Sequence, residues 1–232
     1  MENDLNITFT FAFANGSRKV FPLVLDKADL SLRTKQPTDL PLWVLLSYHQ
    51  CGNCPLDATK VPYCPVAAGL SGVVEEFKDF ISHEKARVTV AVEERIYAKD
   101  ATVQQGLTPL IGIIMTTTGC PVMAQLKPMV RFHLPFASLT ETIFRMSSMF
   151  LMAQFLRSRE GKSAVWSLDG LTQVYVEVGK VNRDFAQRLR VAAKKDANVN
   201  ALVNLDCFAQ MVPLAAEDTL NEIRPYFEAY LK

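Results

Sequence analysis

NITFTFAFANGSRKVFPLVL, residues 6–25, contains the pattern that predicts the fold. Its first half alternates apolar residues with asparagine and threonine, which is the period of two expected of a half-buried β-strand. The dipeptide Asn15–Gly16 follows, and such a pair readily adopts the positive φ angles of a tight hairpin turn. Residues 19–25 are again rich in apolar residues and predict a second strand. The stretch therefore predicts an antiparallel β-hairpin.

The segments on the C-terminal side of the hairpin predict first more sheet and then mainly helix. Residues 41–50 predict a third strand, with a short helix from Pro41 as the alternative. Apolar residues at helical spacing predict a helix in residues 65–85, and residues 87–98 alternate like a further strand. Helices are predicted in the remainder at residues 102–115, 121–132, 139–159, 168–193, 199–211 and 216–231.

The order of these elements indicates the α+β class. We expect a small, mostly antiparallel N-terminal sheet with one helix in residues 1–100, followed by a helical region in residues 101–232. The two regions are expected to pack as one compact unit.

The composition is that of an ordinary globular protein. Of the 232 residues, 49% are hydrophobic and 21% are charged, and the net charge is +1. A nearly neutral chain does not indicate binding to nucleic acid. The N-terminus lacks the basic and apolar regions of a secretory signal, and the apolar run at residues 107–115 is too short to cross a bilayer. We therefore expect a cytoplasmic protein with no nucleic-acid or membrane partner.

Four of the five cysteines have a spacing that predicts a shared metal site. Cys51, Cys54, Cys64 and Cys120 form the pattern C-x2-C-x9-C-x55-C, and proline follows the last three of them. Proline is favoured in the first turn of a helix, so Cys64 and Cys120 are each expected to cap a helix N-terminus. The helix dipole lowers the pKa of a thiol there, which favours the thiolate that metals bind.

The identity of the bound centre is left open by the spacing. An iron–sulfur cluster of the 4Fe-4S type is favoured, because zinc sites made of four cysteines usually contain two C-x2-C pairs and this chain has one. Zinc is the first alternative, and a redox-active dithiol at Cys51 and Cys54 is the second. In the remaining alternative the cysteines are buried packing residues without a shared site. His49 and His133 are secondary candidates that could tune the centre through a hydrogen bond to sulfur.

Three functions follow from these alternatives. The first is a metal-centre protein for electron transfer or redox sensing, and the second is a zinc-stabilised, non-enzymatic binding or adaptor protein. The third is a Cys51/Cys54 dithiol redox protein. A protein redox partner or a homo-oligomer is expected, and no catalytic residue is assigned. A basic stretch that includes Arg188 is interpreted as a solvated helix face.

Overall fold

The protein contains a four-stranded antiparallel sheet followed by helices that make up its C-terminal half. A computed structural model describes residues 3–33 and 39–232 of the chain. The strands are β1 (Asp4–Phe13), β2 (Arg18–Asp26), β3 (Lys85–Val92) and β4 (Arg95–Thr102). Their order in the sheet is β2-β1-β3-β4. The α+β class expected from the sequence is confirmed.

The predicted hairpin forms the centre and one edge of this sheet. β1 pairs with β2 in a register that places Phe9 opposite Phe21, and it pairs with β3 on its other side. Alternate residues of β1, including Phe9 and Phe11, are fully buried. In the connecting turn Gly16 has a φ of 83°, a conformation that glycine adopts without a steric penalty. The hairpin prediction is confirmed.

Seven α-helices and three short 3₁₀ helices account for the helical structure of the described residues. The α-helices are α1 (Pro65–Phe77), α2 (Val103–Thr117), α3 (Lys127–Arg131), α4 (Leu139–Arg159), α5 (Asp169–Ala192), α6 (Ala197–Ile223) and α7 (Glu228–Leu231). The 3₁₀ helices are Leu42–Val44, Met123–Leu126 and Arg224–Phe227. Capping boxes begin α2 and α4, at Thr102 with Gln105 and at Ser138 with Glu141. Each box satisfies backbone N–H groups that the first helical turn leaves without partners.

Helices α1 and α2 pack against the sheet around a cluster of aromatic rings. The ring of Phe77 lies 5.0 Å from that of Phe11, 5.4 Å from Phe21 and 5.2 Å from Phe80, measured between centroids. Helix α2 approaches the sheet closely, because a Cβ atom added to Gly106 would lie 2.5 Å from the Cε1 atom of Phe11. Only glycine permits this distance.

Three predicted elements differ from the structure. The third strand in residues 41–50 is wrong, since this segment forms a 3₁₀ helix and turns. The helix predicted at residues 121–132 is instead a 3₁₀ helix followed by the short α3, because Pro128 lies in the first turn of α3. The last two predicted helices are one continuous helix up to Ile223, with Pro213 inside it.

The C-terminal helical segment is also strongly apolar. Residues Ala197–Leu231 are long and apolar enough, by length and composition, to cross a membrane. Helix α6 nevertheless packs one face into the protein, where Ala201, Leu202 and Val212 are fully buried. Core helices of soluble proteins can be equally long and apolar, so the length and composition of this segment are weak evidence for a membrane span. The expected cytoplasmic location stays a prediction.

Candidate functional site

The four predicted cysteine ligands lie on the wall of one small cavity, which we call the cysteine cavity. Its volume is about 20 Å³, room for about one water molecule. Apolar side chains complete most of the wall, including Leu46, Val66, Val181 and Phe185. The loop that carries Cys51 and Cys54 is fastened to α5, because the backbone N–H of Gly52 donates to the Asp184 carboxylate at 2.8 Å.

This arrangement overturns the predicted metal-centre function. Within residues 3–33 and 39–232, no three side chains of the histidine, cysteine, aspartate or glutamate types are grouped so that they could hold a metal ion. The four cysteines share the wall of one cavity but do not form such a group. The prediction of an iron–sulfur protein for electron transfer or redox sensing is therefore wrong, and so is that of a zinc-stabilised adaptor. The assignment of these cysteines to a shared binding site stays a prediction.

Two of the cysteine thiols have a raised pKa, and not the lowered pKa that would favour metal binding. Burial raises the pKa of the Cys51 thiol to about 12, so that it is protonated at neutral pH. Thiol–disulfide exchange requires an attacking thiolate, and a Cys51/Cys54 dithiol function with Cys51 as the attacking group is therefore wrong as well. Burial likewise raises the pKa of Cys120, although the backbone N–H groups of Met123 and Val122 oppose the rise.

The two predicted helix caps have different outcomes. Cys64 is the N-cap of α1, with Pro65 in the first turn, as the sequence predicted. Cys120 does not cap an α-helix, because a turn and a 3₁₀ helix beginning at Met123 follow it. The stabilisation that a long helix N-terminus offers a thiolate is therefore absent at Cys120.

Neither of the two secondary candidates, His49 and His133, lines the cysteine cavity. His49 is exposed, with its ring 4.8 Å from that of Tyr48. His133 lines a different and much larger cavity.

A buried arginine next to the cysteines was not recognised from the sequence. Arg188, interpreted as part of a solvated face, is 1% exposed and lines the cysteine cavity. Its guanidinium donates hydrogen bonds to four backbone carbonyls, those of Trp43 (2.7 Å), Leu45 (2.6 Å), Leu46 (3.3 Å) and His49 (3.3 Å). These bonds hold the loop before Cys51 against α5.

The larger cavity, which we call the helix-lined cavity, has a volume of about 450 Å³. Side chains from β4, from helices α2 to α6 and from the segment between α3 and α4 line it. Most of these are apolar: Pro109, Ile113, Leu126, Met129, Val130, Leu134, Phe136, Met146, Leu205 and Phe208. The exposed side chains of Lys99 and Gln105 also line it, so the cavity reaches solvent on that side.

Three polar side chains distinguish this cavity from ordinary core packing. The hydroxyl of Tyr175 and the Nε2 atom of His133 are shut off from solvent and have no hydrogen-bond partner in the described part of the chain. Tyr175 is 3% exposed as a residue. Arg145 is partly buried beside them, and its Nη2 atom donates to the carbonyls of Met129 (3.0 Å) and Phe132 (2.7 Å).

The environment determines the charge of each group. Burial, and secondarily the positive charge of Arg145, lowers the pKa of His133 to about 3, so the imidazole is neutral at pH 7. Burial raises the pKa of Tyr175, and its phenol remains protonated. Burial lowers the pKa of Arg145 below the ordinary arginine value, but arginine keeps its charge in proteins. The cavity wall therefore has one partly buried cation beside two neutral polar groups.

Sequence reasoning missed Arg145 and Tyr175. Neither belongs to a recognisable motif. The only available signal was the position of Tyr175 on the apolar face of α5, one turn from the buried residues Leu171 and Val178.

Fold and site together define an α+β protein with a ligand-sized, helix-lined cavity. The family model described as "Domain of unknown function (DUF6901)" matches residues 7–228, and the chain belongs to this family. No curated protein matches the chain, and no solved structure does.

The lowered pKa of His133 predicts a pH-dependent stability. Between the ordinary histidine pKa of 6.5 and the folded value of about 3, the unfolded chain binds more protons than the folded one. The neutral His133 ring therefore contributes fully to the free energy of unfolding above pH 6.5. This contribution is lost as the pH falls below 6.5, by up to about 1.4 kcal/mol per pH unit. We expect His133→Gln to lose less stability than the natural protein between about pH 6.5 and about pH 5, as measured by urea unfolding.

The exposed His83 provides the matched control. His83→Gln should keep the pH dependence of the natural protein. Identical pH profiles for His133→Gln and the natural protein would show that His133 is solvated in the folded state.

Proposed function

We propose that the protein binds a small, mainly apolar molecule in the helix-lined cavity. Its volume of about 450 Å³ lies in the range of roughly 300–1,000 Å³ that small-molecule sites occupy. A largely apolar wall with a few polar groups is also typical of such sites.

The observation that carries this proposal is the pair of unpartnered polar atoms, the Tyr175 hydroxyl and His133 Nε2. A buried polar group without a partner costs about 1–3 kcal/mol. Phenylalanine at position 175 would avoid the cost and fill nearly the same volume. A polar ligand group that pairs with these atoms offsets the penalty, so their presence is consistent with a binding role.

The segment between α3 and α4 supports the same conclusion. Phe136 lines the cavity and has a φ of 62°, in the left-handed region that bulky residues rarely adopt. Strained conformations of this kind cluster at ligand-binding and active sites. Lys99 lies over the Phe136 ring, 5.9 Å from its centroid, at the side where the cavity reaches solvent.

Filling the cavity provides the test. Ala137 lines the cavity from this connecting segment, and Ala137→Trp places an indole in the space that the ligand would use. With 1-decanol and decanoate as probes, we expect the natural protein to bind at least one of them at one molecule per chain. Ala137→Trp should weaken this binding at least about tenfold, as measured by isothermal titration calorimetry.

Ala28→Trp is the matched control, because Ala28 is exposed in the turn after β2 and does not line the cavity. Its affinity should equal that of the natural protein. No binding of either probe at millimolar concentration, or equal binding by Ala137→Trp, would contradict the proposal.

A further inference from the structure

We infer that the polar end of the ligand is a carboxylate, held by Arg145 together with the Tyr175 hydroxyl and the His133 ring. This inference rests on the proposed function and specifies the chemical class of the ligand. The three side chains come from α4, from α5 and from the segment that follows α3.

The charges on the cavity wall favour an anion. Two of the lining side chains, Arg145 and Lys99, are cationic, and none of the lining residues in the described part of the chain is an aspartate or glutamate. A cationic ligand group would meet Arg145 without a compensating carboxylate. An anionic group is attracted by both cations, and more strongly near Arg145, which is the less exposed of the two.

Arg145 itself has no anionic partner in residues 3–33 and 39–232. No carboxylate oxygen in these residues lies within 4.0 Å of its guanidinium nitrogens, and its hydrogen bonds there go to backbone carbonyls. Glu141, one helical turn earlier, acts on the charge of Arg145 only from beyond 4.0 Å, and its carboxylate accepts a hydrogen bond from the Ser138 backbone N–H at 2.7 Å. A partly buried cation is normally paired, and a ligand carboxylate supplies the missing partner.

The neighbouring polar atoms complete a site for a single negative charge. The protonated phenol of Tyr175 is a donor, and the neutral His133 ring donates when its proton is on Nε2. All three side chains line the same cavity, and the positive charge of Arg145 contributes to the pKa shifts of both neighbours. One cation with two neutral donors balances a monoanion such as a carboxylate better than a phosphate dianion.

Three probes with the same ten-carbon chain and different polar head groups test the contribution of the head group to the affinity: decanoate, 1-decanol and decylamine. We expect decanoate to bind at least about tenfold more tightly than 1-decanol, because hydrogen bonds between charged groups are stronger than those between neutral groups. Decylamine should bind more weakly than either. Isothermal titration calorimetry at neutral pH measures all three affinities.

Arg145→Gln tests the assigned cation, since the amide can still donate to backbone carbonyls but has no charge. We expect this variant to bind decanoate and 1-decanol with similar affinity. Arg159→Gln, at an exposed position on the same helix, should keep the preference of the natural protein. Because Arg145 also bonds to backbone carbonyls, its substitution can disturb the fold, and Tyr175→Phe provides a second variant. We expect Tyr175→Phe to lose about fivefold in decanoate affinity and to have an unchanged or higher melting temperature.

The outcomes distinguish this inference from the proposed function. Equal affinity of the natural protein for decanoate and 1-decanol would overturn the carboxylate assignment and leave the binding function intact. An unchanged decanoate preference in Arg145→Gln, or in Tyr175→Phe where the first variant does not fold, would also overturn it. Failure of all three probes to bind would contradict both.

Discussion

Replacement of Arg188 by leucine is expected to destabilise the protein by about 3–5 kcal/mol, because buried carbonyls that lose their hydrogen-bond donor cost about 1–3 kcal/mol each. The guanidinium donates hydrogen bonds to four backbone carbonyls of residues 43–49. Leucine would remove this donor, and the bonds to Trp43 and Leu46 are fully buried. Each bond to a charged donor contributes about 1.5–3 kcal/mol, and the cost of burying the charge offsets part of the sum. Urea unfolding measures the change in the free energy of unfolding.

Arg190→Leu is the matched control, because Arg190 is exposed on the same helix. Its effect should stay within about 0.5 kcal/mol. The Arg188 variant should also expose the loop next to it, so that Cys51 and Cys54 react faster with iodoacetamide than in the natural protein. A destabilisation below about 1 kcal/mol, with unchanged thiol reactivity, would mean that solvent replaces the arginine.

Phe77→Ala is expected to destabilise the protein by about 3–5 kcal/mol. Phe77 is fully buried at the end of α1, and its ring contacts those of Phe11, Phe21 and Phe80. Alanine would leave a cavity between the helix and the sheet, where the backbone cannot collapse to fill it. The midpoint and slope of urea unfolding report the loss.

Phe132→Ala is the control for the same chemical change at an exposed position, since Phe132 is 72% exposed. It should change the free energy of unfolding by no more than about 0.5 kcal/mol. If the two substitutions had equal effects, the aromatic cluster would not be the main contact between α1 and the sheet.

Much of the fold was predictable because each sequence pattern that specifies a strand, a turn or a helix end spans only a few residues. The alternation in residues 6–13 and the Asn15–Gly16 turn specify the hairpin without reference to the rest of the chain. The start of α1 after Cys64 and the bounds of α4 follow in the same way from capping residues and apolar periodicity. Residues 41–50 were misread as a strand, because their pairing with a neighbouring segment is an isolated bridge between Leu45 and Tyr63. Several of their carbonyls bond instead to the Arg188 side chain on α5.

The candidate site was much less predictable. The sequence directed attention to the cysteines, whose spacing resembles that of a metal site, but spacing does not determine whether thiols converge at ligand distance. Nor does it reveal that burial outweighs the backbone N–H groups near Cys120 and raises the pKa of this thiol.

The sequence by itself determined most of the local elements and their α+β order, because hydrogen bonding and side-chain periodicity act over short distances along the chain. Only the tertiary structure decided that Arg188 is buried while Arg190 is exposed, and that Arg145, His133 and Tyr175 line one cavity. The physical reason is that burial and electrostatic environment depend on which distant segments pack together. Residues with the same local pattern can therefore end up with opposite solvation and different chemistry.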